Sequence, residues 1–511
     1  MRNVVLIVCD QLRPDFLHAY GADFIPTPHI DALAADGCVF ERAFTASTVC
    51  APARASMFTG LPVSAHGAWT NQIPVKDGIR YLPERLNDLG YHTAAVGSYD
   101  HASKGNTIGY QYLKTLINGR DNEHLDQLKK RHPEAVTSYA ADGLSFKYTE
   151  EEHYDRWSCD QAIDYLKRPH ERPFFLYCGF LMPHGPYLPP KEVKGRVDPD
   201  KIPDFWPQTR DDIPAVEQYR HAFVNPKELL DMESDPEATR KAMEQRKAER
   251  VAYCEMICEI DDLVGRLVTQ LKESGLYENT TILFTADHGS MENDLGVNTK
   301  GPWPYTPQLF IPMILANAPG LAPGSRSDIL CGNLDVGATV LDLAGSHEPF
   351  GLSRSMIGMT NGSVPEREVG FSEFCDSVKT VISKQYTFSY YPFTGKCTLF
   401  DRDKDPRFSI DLAKDPEYAP IVQSFLMRVI DFMTLCKGVR IETHDLAPEI
   451  KKGIEAYDPS FMDSFEICYP LGSPAEVESV RAAGLDADYN EFTKTHPIKA
   501  HYGVYWQKRD Y

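Results

Sequence analysis

Positive charge is scarce in this sequence, and long apolar runs are lacking. Its 511 residues carry 53 Lys and Arg against 73 Asp and Glu, a formal net charge of −20. An acidic chain is not expected to bind nucleic acid or anionic membrane by general electrostatic attraction. We find no stretch that approaches the length of a membrane-spanning helix, roughly 20 apolar residues. The composition predicts a soluble globular protein in which an anionic substrate would need local positive charge.

A secretion signal and a disulfide framework are also lacking. The apolar run from Val4 to Cys9 follows Arg2, but it is too short for a signal peptide and ends at Asp10 without a small-residue cleavage site. The twelve cysteines have no framework spacing, which is typical of reduced thiols. Cys254 and Cys258 have helical spacing but no matching ligand pair, so we expect them in the core. These absences predict a cytoplasmic protein.

Short apolar strands alternate with helical patterns, and no internal repeat is visible. Strands that are apolar throughout and separated by helix-length stretches predict an α/β fold, a large, mostly parallel sheet sandwiched by helices. An apolar stripe at helical spacing runs from Ile257 to Leu271 and ends at Gly275. The predicted strands are Val4–Val8, Thr93–Val96, Phe174–Cys178, Thr281–Thr285 and Pro312–Ala316.

A shift in composition over residues 358–367 predicts two domains, 1–365 and 366–511. Two polar stretches near 103–160 and 190–245 are predicted to be insertions that wall a pocket. In the smaller α+β subdomain, Val378–Ser383 and Tyr386–Tyr391 alternate in a way that indicates antiparallel strands. The tail, 442–511, is rich in aromatic residues, so we expect it to pack against the body or a neighbouring subunit. The tail is therefore compatible with a homo-oligomer.

The run from Thr48 to Gly60 is the most informative segment, with Cys50, Pro52 and Arg54 at alternating positions. A cysteine is often only a small buried residue, but the whole run resembles the signature of type I sulfatases and their relatives in the alkaline phosphatase superfamily. In that family the cysteine is oxidised to formylglycine, an aldehyde whose hydrate is the nucleophile. The resemblance therefore implies a formylglycine-generating enzyme as a partner during maturation.

Three further segments follow predicted strands or lie at their ends. They are Cys9-Asp10-Gln11, Met182–Pro186 and Ala286–Gly289. Each alone is weak, because an Asp at a strand end is often a helix cap, but open α/β folds bind ligands at this edge of the sheet. The order of the four segments resembles the sulfatase and phosphonate monoester hydrolase family. With Asn333–Gly345 and the Asp401 and Asp405-Pro406 segment, the resemblance covers nearly all of residues 1–405.

The resemblance implies a role for each of these side chains. Their hard oxygen ligands suit Ca²⁺, with Mg²⁺ or Mn²⁺ as alternatives. Arg54 would hold the aldehyde hydrate through a charge-assisted hydrogen bond. His184 and Lys300 are the candidate acids and oxyanion partners, and Lys300 would also bind substrate. The implied metal ligands are Asp10, Gln11, Cys50, Asp287 and His288.

Two departures from the family pattern leave the substrate class open. Arylsulfatases carry Gly-Lys-Trp-His-Leu-Gly where this chain has Ser98 and Tyr99 after Gly97, so the lysine that grips sulfate and its paired histidine are missing. His101 or Lys104 could partly substitute. Gln11 also replaces a second aspartate. Both departures resemble the phosphonate monoester hydrolase branch, which places a substrate-contacting asparagine where this chain has Asn71.

These observations predict a metal-dependent hydrolase of sulfate esters that acts on a small anionic substrate through formylglycine at position 50. The preference for sulfate follows the commoner activity of the wider family. The alternative is a phosphonate monoester hydrolase or phosphodiesterase of the same family, or an enzyme promiscuous between these substrates. A more remote alternative is a non-catalytic binding protein that keeps the fold, with Cys50 never oxidised.

Overall fold

The computed structural model describes most of the chain. The described residues are 1–71, 73–99, 108–116, 123–207, 236–297, 300–375, 377–392 and 395–442. The predicted substrate contact His101, the substitute Lys104 and the aromatic tail from residue 443 onward lie outside them.

A mixed sheet of eight strands forms the centre of the larger part. Its strands are β1 (Asn3–Asp10), β2 (Gly37–Phe44), β3 (His92–Gly97), β4 (Tyr112–Thr115), β5 (Phe174–Pro183), β6 (Thr280–Ala286), β7 (Met313–Ala316) and β8 (Ser325–Gly332). Their order is β4-β3-β5-β1-β6-β7-β2-β8. Among these eight strands, β7 is antiparallel to its neighbours β6 and β2, and the other pairs are parallel. The prediction of a mostly parallel sheet is confirmed.

The helices of the described residues pack around this sheet or on a second, smaller sheet. They are α1 (Pro28–Ala35), α2 (Cys50–Thr59), α3 (Val63–His66), α4 (Leu82–Asp88), α5 (Glu123–Arg131), α6 (Tyr154–Leu166), α7 (Pro236–Glu273), α8 (Thr306–Leu309), α9 (Val336–Leu343), α10 (Met356–Asn361) and α11 (Ala419–Glu442). Helices α1, α6 and α7 pack against the sheet as one group, and α2, α4 and α9 belong to a second. The central strand β1 is buried at all eight positions, as expected of a strand covered on both faces.

Helix α7 is longer than its apolar stripe predicts. The stripe begins at Ile257, whereas the helix begins at Pro236. The first part of the helix carries charged side chains instead, and Arg240 forms ion pairs with Glu237 and Glu244. Pairs at these spacings support an exposed helix without apolar residues. The helix therefore reaches into the segment predicted to be an insertion.

A second sheet follows the shift in composition. Its strands are β9 (Gly370–Phe374), β10 (Val378–Ile382), β11 (Tyr386–Tyr391) and β12 (Lys396–Asp401). All neighbouring pairs are antiparallel, which confirms the predicted small antiparallel sheet. Helix α11 covers it by packing Phe425 and Val429 against Val381, Phe388 and Leu399.

Helix α11 overlaps an apolar segment longer than the sequence led us to expect. Residues Pro416–Cys436, with a mean hydropathy of 1.3, are long and apolar enough to cross a membrane by length and composition alone. The expectation that no stretch approaches this length was wrong. Arg428 and Asp431 interrupt the apolar run, but its mean hydropathy stays high enough for a membrane span. One face of the helix packs on the second sheet, whereas Met427 and Ile430 are exposed.

The cysteines behave as small core residues. The eleven cysteines within the described ranges are all free, and all except Cys397 are buried. Cys254 and Cys258 belong to α7 and lie in the core, as expected.

Candidate active site

Three neighbouring parallel strands end at one edge of the large sheet. Asp10 is the last residue of β1, Asp287 directly follows β6, and His184 directly follows β5. Because β5 and β6 both pair with β1 in parallel, their carboxyl ends meet. This edge is where open α/β sheets bind their ligands.

Cys50 reaches the same edge as the first residue of α2. Its side chain is 8% exposed. The Sγ atom lies 2.6 Å from Nζ of Lys300, 3.2 Å from Nε2 of His288 and 3.4 Å from Oδ1 of Asp10. The structure therefore brings residues from three distant parts of the chain together around one sulfur atom.

Four side chains form a group that could hold a metal ion. Asp10, Cys50, Asp287 and His288 are buried and each offers a ligand atom, all within 4.8 Å of one another. Gln11, the residue after Asp10, has an amide Oε1 that is buried with no hydrogen-bond partner among the described residues. Carboxylate and amide oxygens with one imidazole suit a hard divalent cation. The residues present therefore fit such an ion.

The orientation of the His288 ring also fits metal binding. Its Nδ1 donates to the Gly289 carbonyl at 2.7 Å, which leaves a lone pair on Nε2 in the neutral ring. Gly289 is required here, because a Cβ at this position would lie 1.9 Å from the carbonyl oxygen of Pro307. Burial, aided by Lys300, lowers the pKa of His288 to about 4, although Asp287 acts in the opposite direction. At neutral pH, Nε2 is therefore available as a ligand.

Arg54 binds both aspartates and orients them. Its Nε lies 2.9 Å from Oδ2 of Asp287 and its Nη2 lies 3.1 Å from Oδ2 of Asp10. Its Nη1 donates to the Ser98 carbonyl and to the Tyr177 hydroxyl. Within the described residues, no hydrogen bond joins Arg54 to Cys50. Arg54 thus turns the Oδ1 atoms of both carboxylates toward the metal group.

The charges of the site nearly cancel. Burial alone would raise the pKa of Asp287, but His288, Arg54 and Lys300 hold it well below its ordinary value. Burial alone would lower the pKa of Lys300, but Cys50, Asp10 and Asp287 raise it. Burial, followed by Asp10, raises the pKa of the Cys50 thiol well above its ordinary value. Two carboxylates therefore face two cations around a neutral thiol.

His184 lies beside this group in a neutral form. Burial, with help from Lys300, lowers its pKa to about 3. Its Nδ1 donates to the Gly185 carbonyl, so Nε2 of the neutral ring carries a lone pair rather than a proton. In this tautomer Nε2 can accept a proton, and the roles predicted for His184, acid and oxyanion partner, stay predictions. Lys300, which keeps its proton, is the better placed donor.

The remaining predicted substrate contact, Asn71, lies next to α2. Its Oδ1 accepts a hydrogen bond from the backbone N–H of Ala51 at 2.9 Å. Asn71 therefore holds the first turn of the helix that begins with Cys50.

Sequence reasoning missed Tyr177. Its hydroxyl donates to the Ser98 carbonyl at 2.8 Å and accepts from Arg54. It thereby fixes the start of the segment that departs from the arylsulfatase pattern. The available signal was a phenol within a buried apolar strand, since a buried tyrosine hydroxyl usually needs a partner.

Comparison with known proteins identifies the family. A family model described as Sulfatase matches residues 2–346. The chain belongs to the sulfatase family. The resemblance inferred from the Cys50 run is thereby confirmed, and membership supports a hydrolase of sulfate or phosphonate esters.

Relatives of this sulfatase-family chain include proteins of both substrate classes. It is 29% identical over 457 residues to an arylsulfatase of Clostridium perfringens (strain 13 / Type A), covering 81% of this chain and 91% of that protein. It is 25% identical over 507 residues to the multifunctional alkaline phosphatase superfamily protein PehA of Trinickia caryophylli, covering 87% and 97%. Its fold is similar to the crystal structure of the phosphonate monoester hydrolase of Agrobacterium radiobacter, with a TM-score of 0.70, 22% identity and coverage of 85% and 96%.

Proposed function

We propose that this sulfatase-family chain is a metal-dependent hydrolase of sulfate esters whose nucleophile is formylglycine made from Cys50. The observation that carries the proposal is the convergence of Cys50 with Asp10, Asp287 and His288, whose ligand atoms lie within 4.8 Å of one another. A cysteine with only a packing role would not need two carboxylates, an imidazole and an ammonium group around its sulfur. The arylsulfatase of Clostridium perfringens supports sulfate as the substrate class.

The proposed cation would be held by Asp10, Gln11, Asp287, His288 and the modified residue at position 50. When bound, a divalent ion supplies positive charge next to the nucleophile and the ester oxygens. Calcium is our first choice because most of these ligands are oxygens. Since Arg54 and Lys300 only balance the two carboxylates, the described site has little surplus positive charge of its own for an anionic ester.

The surrounding side chains would divide the remaining work. Arg54 holds the two carboxylates in place through its short contacts with both. Lys300 directs a proton toward position 50 and is the proposed donor to the leaving oxygen. His184, neutral and bonded through Nδ1, offers Nε2 as the proposed proton acceptor in the same pocket.

The aldehyde at position 50 has to be made after synthesis of the chain. Formation of the aldehyde would require a formylglycine-generating enzyme acting on the Cys50 run. We also propose that the enzyme works in the cytoplasm, because the eleven free cysteines of the described ranges are typical of a reducing compartment.

The mass of the peptide that contains Cys50 tests the nucleophile. Protein isolated from its native host should carry the aldehyde at this position and react with a hydrazide probe, whereas the Cys50→Ala variant should not react. An unmodified thiol in all of the protein would contradict the proposed mechanism.

A second substrate class is favoured by the segment after β3. Ser98 and Tyr99 replace the lysine and histidine of the arylsulfatase pattern, and the Ser98 carbonyl is bonded to Arg54 and Tyr177. All three ester classes carry one negative charge, but a sulfate monoester has three terminal oxygens, whereas a phosphonate monoester or a phosphodiester has two. The loss of one cation that would bind a terminal oxygen therefore relaxes the demand for a sulfate monoester and admits the phosphorus esters. Rates on an aryl sulfate, an aryl phosphonate monoester and an aryl phosphodiester should therefore be compared under one condition.

We expect the highest kcat/KM on the aryl sulfate. A preference for either phosphorus ester by orders of magnitude would select the alternative. Fully modified protein that turns over none of the three would instead favour a binding protein that keeps the fold.

A further inference from the structure

A chain of buried hydrogen bonds lies behind the proposed metal site. The Gln11 amide Nε2 donates to Oγ of Ser290 at 3.1 Å, and Ser290 donates to Oε1 of Glu292 at 2.7 Å. The Tyr187 hydroxyl donates to the same Oε1 at 2.8 Å. Ser290 and Glu292 are 0% exposed and Gln11 is 2% exposed. We call these four residues the Gln11 relay.

The directions of these bonds fix the orientation of the Gln11 amide. A serine hydroxyl has a single proton, and here Ser290 gives that proton to Glu292. Ser290 can then only accept from Gln11, so the Gln11 side chain must present Nε2 to it. The opposite amide face, Oε1, is left without a partner among the described residues and is free to bind a cation.

The backbone of two relay residues, Gln11 and Glu292, is strained and is held by neighbouring side chains. Gln11 has φ 70° and Glu292 has φ 45°, both in the left-handed region. Non-glycine residues in this region are strained and cluster at functional sites. Tyr253 donates to the Gln11 carbonyl at 2.8 Å, and Arg250 donates through Nε to the Glu292 carbonyl at 3.2 Å. The surrounding side chains therefore keep the relay in one geometry.

We propose that Glu292 is a positioning residue for the metal site. By accepting the Ser290 proton, it sets the Gln11 amide with Oε1 toward the cation. Through Tyr187 it also anchors the loop that carries His184, three residues earlier in the chain. The inference rests on the proposed function only in requiring a divalent cation beside Gln11.

Calcium affinity of the full-length protein tests the role of the relay. The protein is stripped with a chelator and titrated with Ca²⁺, and affinity is measured calorimetrically without any substrate. Ser290→Ala and Glu292→Met should each weaken Ca²⁺ binding about 10–100-fold, as loss of a group that orients a metal ligand does. Glu292→Gln should bind close to wild type, because its Oε1 can accept both bonds. Tyr187→Phe should weaken binding less, since the Ser290–Glu292 bond remains.

A double variant separates positioning from general damage. Because the relay acts through Gln11, adding Ser290→Ala to Gln11→Ala should cause no further loss of Ca²⁺ affinity. The matched control is Ser158→Ala, which also removes a fully buried serine hydroxyl, one that donates to the Tyr154 carbonyl. The control should bind Ca²⁺ like wild type.

The possible results separate this inference from the proposed function. Wild-type Ca²⁺ affinity in both Ser290→Ala and Glu292→Met would overturn the positioning role. It would also be overturned if Ser290→Ala lowered Ca²⁺ affinity as much in the Gln11→Ala background as in wild type. If Glu292→Met does not fold, Ser290→Ala and Tyr187→Phe decide the question. A wild-type protein that hydrolyses esters while the relay variants bind normally leaves the proposed function intact. Failure of wild type to bind Ca²⁺, Mg²⁺ or Mn²⁺ overturns both.

Discussion

Lys300 donates a hydrogen bond from Nζ to Sγ of Cys50 at 2.6 Å, across 250 residues of sequence. Lys300 is only 6% exposed. Its ammonium group stays charged there because Cys50 and two aspartates raise its pKa against the effect of burial. The contact places a buried proton donor beside the side chain from which the proposed nucleophile would be made.

We expect Lys300→Met to lower kcat by about 10²–10³-fold, the range for removal of one group that stabilises developing charge. Steady-state rates on the preferred aryl ester provide the measurement, with Lys300→Arg as the charge-conserving control. If kcat is unchanged and only KM rises, Lys300 binds substrate and does not act on the transition state.

The Arg54 ion pairs predict a large loss of stability in Arg54→Met. Removing one partner of a buried pair typically costs about 3–5 kcal/mol, because the remaining charge stays buried. Saturating Ca²⁺ should restore part of the loss, since a bound cation stabilises the folded state and would neutralise the two carboxylates. The free energy of unfolding in urea, with and without Ca²⁺, measures both effects.

The control for this variant is Arg80→Met. Arg80 pairs with Asp88 at the surface, where the side chains are 47% and 64% exposed, so its loss should cost about 1 kcal/mol or less. Equal losses of stability in the two variants would contradict the role of Arg54 in holding the two buried carboxylates.

The strands that carry the site could be predicted from the sequence, and others could not. Strands β1, β5 and β6 are buried on both faces, so each reads as an unbroken apolar run. Strand β2 was missed because Glu41 and Arg42 interrupt it. Strands β4 and β8 form the two edges of the sheet, where exposure on one side permits residues such as Arg326 and Asp328. Composition alone does not separate such strands from loops.

The residues of the site likewise include some that could be predicted from the sequence, whereas their contacts could not. Asp10, Asp287 and His288 could be predicted because they lie at the carboxyl ends of apolar strands, and Cys50 because its run resembles a known signature. The contacts of Arg54 with both aspartates, and the link from Gln11 to Glu292, depend on where side chains from separate segments meet. Local spacing carries no information about those distances, so only the structure provides them.

Replacement of the proposed nucleophile should separate chemistry from folding. We expect Cys50→Ala to abolish turnover and leave the fold intact, because the change is small and local. Circular dichroism and thermal unfolding check the fold, and aryl ester hydrolysis checks turnover. The matched control is Cys178→Ala in strand β5, a fully buried core position. That control should lower stability through a cavity and keep turnover. Loss of folding in Cys50→Ala would instead indicate a structural cysteine.

Glu259 in α7 predicts a dependence of stability on pH. Its side chain is fully buried, and neither carboxylate oxygen has a hydrogen-bond partner among the described residues. Burial, followed by Glu150 and Asp262, raises its pKa from 4.5 to about 8, while Arg156 and Arg196 act in the opposite direction. Between these two pH values the folded state holds a proton that the unfolded state has released, so stability falls as pH rises.

We therefore expect Glu259→Gln, which cannot ionise, to become more stable than wild type as pH rises from 4.5 to about 8. The difference in the free energy of unfolding should grow with pH, by up to about 1.4 kcal/mol per unit, and level off above that range. Urea unfolding of both proteins across the range measures it. Glu244→Gln, at an exposed position of the same helix, should show no such trend. Parallel pH profiles for wild type and Glu259→Gln would show that Glu259 stays ionised in the folded protein, because only a proton retained on folding can make the two curves diverge.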